Sequence, residues 1–425
     1  MKERISEIEI SNTLKRALKR SQIDNDDTAI IFYDLDFLTE RIVDLKNHFP
    51  ESTLHTIAVK SNPIFKILEK IRKLNVGLEV ASLPELHFAL KAGFDTDSII
   101  FDSPAKTIEE IEFALKNGVK INADSFDELD RISELLEKNN TKSKIGIRIN
   151  PQVGTGSIRS TSVADKISKF GIPIENNRKK LICYFVHNIW LTGIHIHIGS
   201  QGCPINLLVD GINKVYELVK EINQKLNDRK IEIFDIGGGL PVSYNFDLKA
   251  ADIYTYKNEI IKRIPDFFKS DFQIVTEFGR YIHANTGWAI SKVEYVKKEQ
   301  DYNIIMTHLG ADMFIRECYN PNDWSHEITV LDKYGNLKNK SETNNYIIAG
   351  PLCFAGDVIA KDIELPTIEE GDFIVIHDIG AYTLSMWSRY NSRQTPKVIG
   401  YSYEKSSFEI LKKKESLKMT LNFWS

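Results

Sequence analysis

Several residues able to do chemistry stand at or just past the ends of apolar, β-like runs. The run Leu54–Val59 ends on Lys60 and breaks at Ser61-Asn62-Pro63. An interior strand rarely finishes on a lysine, because its ammonium is costly to desolvate. Two readings stand: a lysine with a buried stem and a head in water, or a partly desolvated amine that attacks a carbonyl compound. "GIHIHIGSQ" (193–201) alternates, so His195 and His197 share one side of a strand. His195 reads as an inward core histidine. His197, followed by Gly199-Ser200, is placed to stack on a ring while Ser200 meets a phosphate. "DIGGGLP" (235–241) lets backbone N–H groups approach an anion, although a glycine turn alone is more often only a turn. "TEFGRYIH" (276–283) ends an apolar strand on Glu277, with Arg280 three residues on. That pair is either a local ion pair or a carboxylate that keeps a pyridine-type nitrogen protonated. Taken alone, Cys353 in "GPLCFAGDVIA" (350–360) reads as a small buried hydrophobe. Together the lysine, the histidine, the glycine triplet and the carboxylate describe a mouth for an anionic, ring-bearing cofactor.

The elements that must position these groups are short strands alternating with amphipathic helices. Strands are expected at 55–59, 77–80, 98–101, 120–122, 145–149, 193–197, 232–235 and 273–276. Helical periods fall at 63–73, 83–91, 106–116, 125–138, 206–226 and 253–263. Eight such strands make a closed, parallel (β/α)8 barrel, whose reacting groups sit past the C-terminal strand ends. Lys60, Arg148 with Asn150, His197, Gly237–Gly239 and Glu277 all meet that condition. After about residue 285 the helical periods stop. Val293–Val296, Tyr302–Thr307, Glu327–Val330, Tyr346–Ile348, Phe373–His377 and Lys397–Tyr401 read as strands of an all-β sandwich or barrel domain. Ala29–Tyr33 has no barrel slot and suits that domain better. The expected organisation is an N-terminal arm and strand over 1–50, a barrel over 51–285 and a β domain over 286–425.

Composition narrows the partners. The 425 residues are 42% hydrophobic and 27% charged, a globular balance that suggests two or three domains. A net charge of −4 without a long basic run argues against nucleic acid. The four cysteines lie far apart with no CxxC pair, so neither a disulfide framework nor a metal site is expected. No apolar stretch is long enough to cross a membrane, and the charged N-terminus lacks a signal core. A cytoplasmic protein is the expectation.

"AVKSNP", "HIHIGSQ", "DIGGGLP", "EFGR", "ADMFIRECY", "GPLCFAGD" and "GAYTLSMWSRYNSR" appear in one order between about residues 29 and 403. In that order and spacing the chain resembles the fold-type III pyridoxal-phosphate decarboxylases. The pattern is nearest to diaminopimelate decarboxylases, with ornithine decarboxylases more distant. The resemblance implies that Lys60 carries pyridoxal 5′-phosphate covalently and that His197 stacks on its ring. It also implies that Ser200, Gly238, Gly239, Gly279, Arg280 and Tyr382 hold the phosphate, and that Glu277 pairs with the ring nitrogen. Cys353 would donate the proton that replaces the departing carboxylate, from a loop reaching into the partner subunit's site, which implies a homodimer with shared sites. Arg280, Arg316 and Tyr319 match positions that grip the substrate's far carboxylate.

The chain departs from that pattern at one place that matters for specificity. Where diaminopimelate decarboxylases typically read Cys-Glu-Ser-Gly-Asp, this sequence reads Cys353-Phe354-Ala355-Gly356-Asp357. The two polar contacts to the substrate's distal amine are thereby lost. Phe278 replaces a usual proline, and the loop 154–171 is unlike the familiar one. An amino-acid racemase could use the same barrel, but usually sets an arginine opposite the ring nitrogen; Glu277 and Cys353 favour decarboxylation. A cofactor-carrying protein without catalysis would lack the β domain.

Overall fold

The computed structural model describes residues 2–226, 230–250, 252–298 and 302–425. They divide into two compact units: residues 41–242 with 250–282, and residues 1–40 with 243–249 and 283–425.

The first unit is the parallel barrel. Its strands are Leu54–Ala58, Gly77–Val80, Ile99–Asp102, Lys120–Ala123, Ile145–Asn150, Leu191–Ile196, Ile233–Asp235 and Gln273–Glu277. Each pairs in parallel with the next, and the eighth returns to the first, with Val275 opposite Leu54. Strands buried on both faces read as continuous apolar runs, so each expected barrel strand matches one of these eight within about two residues. Helices Phe65–Arg72, Leu83–Lys91, Ile108–Asn117, Phe126–Leu136, Ile205–Lys225 and Ile253–Arg263 match their expected segments. Side chains of Ser82, Thr107, Ser125 and Asp252 cap four of them by accepting an N–H from the first turn. A further helix, Ile174–His187, was not expected, because its first turns, "IENNRKK", are almost wholly polar.

The second unit holds two sheets. One runs in the order Ile328–Leu331, Phe373–Ile376, Gly287–Lys292, Ala29–Asp34, Lys397–Ser402, Ser407–Lys412. Ala29–Asp34 is therefore an interior strand of this sheet, antiparallel to Gly287–Lys292 and parallel to Lys397–Ser402. The other contains Tyr295–Lys298, Asn303–Met306, Thr343–Ala349 and Val358–Pro366. Phe32 stacks on Trp288 with centroids 4.3 Å apart, inside a core that also takes Ile10, Leu14 and Ala17 of the helix Glu7–Lys19. That helix opens on a Ser6/Glu9 capping box. The division between units differs from the expected one: helix Leu35–His48 is shared at Glu40/Arg41, and 243–249 belongs with the sheets. The expected strand Val293–Val296 straddles the gap between Gly287–Lys292 and Tyr295–Lys298.

Candidate active site

All eight barrel strands carry a polar side chain within about two residues of their C-terminal ends. Lys60 lies in the single 3-10 turn that follows the first strand. Glu79, Asp102, Asn122, Arg148, His195, Asp235 and Glu277 follow on strands two to eight. All seven are buried, whereas the Lys60 side chain keeps 40% exposure. Lys60 Nζ donates to Glu79 Oε1 at 2.6 Å. Glu79 was not singled out in the sequence, where "GLEV" carries no motif; the only signal was a carboxylate inside an apolar strand.

His195 is fully buried, as expected of an inward histidine, but its ring nitrogens find no hydrogen-bond partner among the described residues. Its Nε2 lies 3.3 Å from Asp102 Oδ2 and its Nδ1 3.2 Å from Asp235 Oδ2, close in charge but out of line for hydrogen bonds. Glu277 Oε2 is 3.9 Å from Nε2. Burial alone would lower the histidine's pKa, but Glu277, Asp235 and Asp102 together raise it well above the ordinary value. Arg148 donates to Asp102 Oδ2 at 3.0 Å, and with His195 it outweighs burial and holds Asp102 well below the usual carboxylate range. Burial, and then Asp235, push Glu277 well up, with His195 opposing. Burial also raises Glu79, against the pull of Lys60.

His197 has the opposite character. Burial and the charges of Arg148, Lys60 and His195 keep its ring neutral, well below the ordinary pKa. The Gly238 N–H donates to its Nδ1 at 3.3 Å, which makes Nδ1 an acceptor and sets the ring's orientation. A Cβ on Gly238 would lie 2.4 Å from the Glu277 carbonyl oxygen, and Gly239 has a φ of +102° with Gly199 O only 2.3 Å from a would-be Cβ. Only glycine fits there. Arg280 Nε donates to Ser200 Oγ at 3.2 Å, and Gly279 lies against Ser61 and Ala58. The loop 154–171 is stitched to this rim: Val163 N donates to Ile198 O, and Ser200 N to Thr161 O, both at 3.0 Å. Asp102, His195 and Glu277 could bring ligand atoms near one metal ion, but Arg148 already occupies Asp102 Oδ2.

These residues fit pyridoxal phosphate. Glu277 Oε1 is a buried acceptor with no hydrogen-bond partner among the described residues, as a carboxylate awaiting a ring N–H would be. A neutral histidine, a lysine with an adjoining carboxylate, and a glycine bend beside Ser200 and Arg280 complete the set.

The remaining expected residues lie in the other unit. Cys353 is exposed rather than a buried hydrophobe; Asn391 Oδ1 accepts its N–H at 2.8 Å, and its carbonyl accepts from Tyr390 Oη at 3.1 Å. Asp357 closes the loop, accepting N–H groups of Ala311 at 2.6 Å and Leu352 at 2.5 Å. Phe354 stacks on Tyr319, with centroids 5.6 Å apart and planes 25° apart, and meets Tyr390 edge-on at 6.1 Å. Arg316 donates to the Tyr382 carbonyl at 2.5 Å, with its guanidinium 4.2 Å above the Trp324 ring. Tyr382 itself adopts a left-handed φ of 57°.

Residues 35–284 match the family model described as "Pyridoxal-dependent decarboxylase, pyridoxal binding domain". Diaminopimelate decarboxylase of Helicobacter pylori is 31% identical over 395 residues, covering 92% of this chain and 94% of that one. The enzyme of the same name from Archaeoglobus fulgidus is 32% identical over 366 residues, covering 84% of each. The crystal structure of the H. pylori enzyme complexed with L-lysine superposes with a TM-score of 0.84 at 28% identity, over 96% of this chain and 99% of that one. The chain therefore belongs to the pyridoxal-dependent decarboxylases, as an amino-acid decarboxylase of the diaminopimelate type that uses pyridoxal phosphate.

Proposed function

We propose that this decarboxylase acts on an amino acid with a distal carboxylate, or a comparable acceptor group, and no amine near Phe354. The observation that carries the reading is the Phe354 ring, stacked on Tyr319 and edge-on to Tyr390, in the segment where the family resemblance implies a glutamate and a serine. A site that meets a buried ammonium with hydrocarbon discriminates against it.

Pyridoxal phosphate, when bound, supplies an electrophilic carbonyl for the substrate amine and a ring that accepts the electron pair left when CO₂ departs. Lys60 carries it, and Glu79 Oε1, 2.6 Å from Lys60 Nζ, is placed to hold that amine's proton. Glu277 Oε1 would keep the ring nitrogen protonated and so preserve the ring's pull on electrons, and neutral His197 would meet the ring without adding a charge. By the family pattern, Ser200, Gly238, Gly239, Gly279, Arg280 and Tyr382 would hold the phosphate. By the same pattern, Arg280, Arg316 and Tyr319 would grip the distal carboxylate, and Cys353 of the partner subunit would protonate Cα. Orientation and protonation are the protein's contribution.

A second reading, meso-diaminopimelate decarboxylation, is favoured by the 31% identity to the H. pylori enzyme. A panel of L- and D-amino acids separates the readings by product. CO₂ from a diacid without a distal amine is expected. Efficient lysine formation from meso-diaminopimelate supports the second reading, and an inverted enantiomer without CO₂ would indicate a racemase.

A further inference from the structure

Asp102, His195, Asp235 and Glu277 come from four different barrel strands, yet meet around one imidazole with no exposed surface. The outer two carboxylates are themselves fixed. Asp102 is held by Arg148 at 3.0 Å. Asp235 accepts the Gly237 N–H at 2.9 Å and the Asn122 side-chain amide at 3.3 Å. Glu277 Oε1, like Asp102 Oδ1, has no hydrogen-bond partner among the described residues, and Glu277 Oε2 faces His195 at 3.9 Å. Around a neutral ring, Asp235 and Glu277 would be like charges without the cation that Arg148 gives Asp102.

We propose that His195 is a positioning residue: set as an imidazolium between Asp102 and Asp235, it draws the Glu277 carboxyl towards its charged form and keeps it aimed at the cofactor's ring nitrogen. The inference rests on the reading of Glu277 given above. It assigns His195 no contact with substrate. Removing the imidazolium leaves Glu277 beside Asp235 and within the field of Glu79 and Asp102, all of which favour its protonated form. A Glu277 that holds its proton more tightly leaves it on the carboxyl rather than on the ring nitrogen, so the electron sink weakens while substrate binding does not.

Three measurements test this. In wild-type protein freed of cofactor and labelled with ¹⁵N-histidine, His195 should keep protons on both ring nitrogens at a pH above the ordinary histidine range. His195→Gln, reloaded with cofactor, should lose roughly ten-fold or more in kcat with KM near wild type. The absorbance titration of its bound cofactor should shift by about a pH unit. A neutral His195 in the wild type, or a variant with unchanged kcat and unchanged titration, overturns the proposal. If wild-type protein releases no CO₂ from any amino acid, the functional reading fails instead, and the labelled-histidine spectrum and cofactor titration still decide the role of His195.

Discussion

The barrel mouth and the Gly350–Asp357 loop treat polar groups in opposite ways. At the mouth, every strand brings a polar side chain, and buried charges are balanced against one another: Lys60 with Glu79, Arg148 with Asp102, His195 among three carboxylates. In the loop, Asp357 ties the backbone together, and Phe354 sets an apolar ring on Tyr319. Chemistry that depends on a proton's location needs many charges set by rigid strands, and changing one unbalances the rest. A side chain on an anchored loop can change without that consequence. On the proposed function, reaction type resides in the mouth and substrate choice in the loop.

That division can be broken most decisively at Lys60. Lys60→Ala should cost roughly 10⁴-fold or more in turnover, and borohydride should trap the cofactor on Lys60 in the wild type. Reduced cofactor on another lysine would displace the assignment of the whole mouth. Glu277→Gln should lower kcat by about 10²- to 10³-fold with little change in KM; a raised KM at unchanged kcat would make Glu277 a substrate contact. The loop should behave differently. Phe354→Glu with Ala355→Ser restores an acceptor for an ammonium, a charge-assisted bond of roughly 1.5–3 kcal/mol, and should improve meso-diaminopimelate by ~10- to 150-fold. An unimproved double variant would place specificity elsewhere. The smallest effect sharpens where Cys353 acts. Mixing inactive Lys60→Ala with inactive Cys353→Ala should restore about a quarter of wild-type activity, since half of reassorted dimers regain one intact site of two. No recovery despite subunit exchange would remove Cys353 from the partner's site.

The sequence made the barrel legible because parallel strands buried on both faces leave apolar runs, and because Lys60, His197 and Glu277 interrupt those runs at their ends. Glu79 was illegible for the complementary reason: it interrupts "GLEV" without a neighbour to explain it, and only the fold brings it to Lys60. His195 was legible as an inward, buried residue, but alternation gives a side chain's direction and not its company, which here comes from three other strands. In the β unit, Val358–Pro366 and Ser407–Lys412 went unseen. Both are outermost strands of their sheets, with charged residues such as Lys361, Asp362 and Glu364 breaking the alternation. The aromatic packing of Phe354 joins residues 35 and 36 positions apart, beyond any local pattern.

The most direct test of retained chemistry with altered specificity is a competition between meso-diaminopimelate and 2-aminopimelate, the same diacid without the distal amine. The account predicts CO₂ from both, with kcat/KM favouring 2-aminopimelate by about ten-fold or more. A preference for diaminopimelate, with kcat/KM above ~10⁴ M⁻¹s⁻¹, would contradict it.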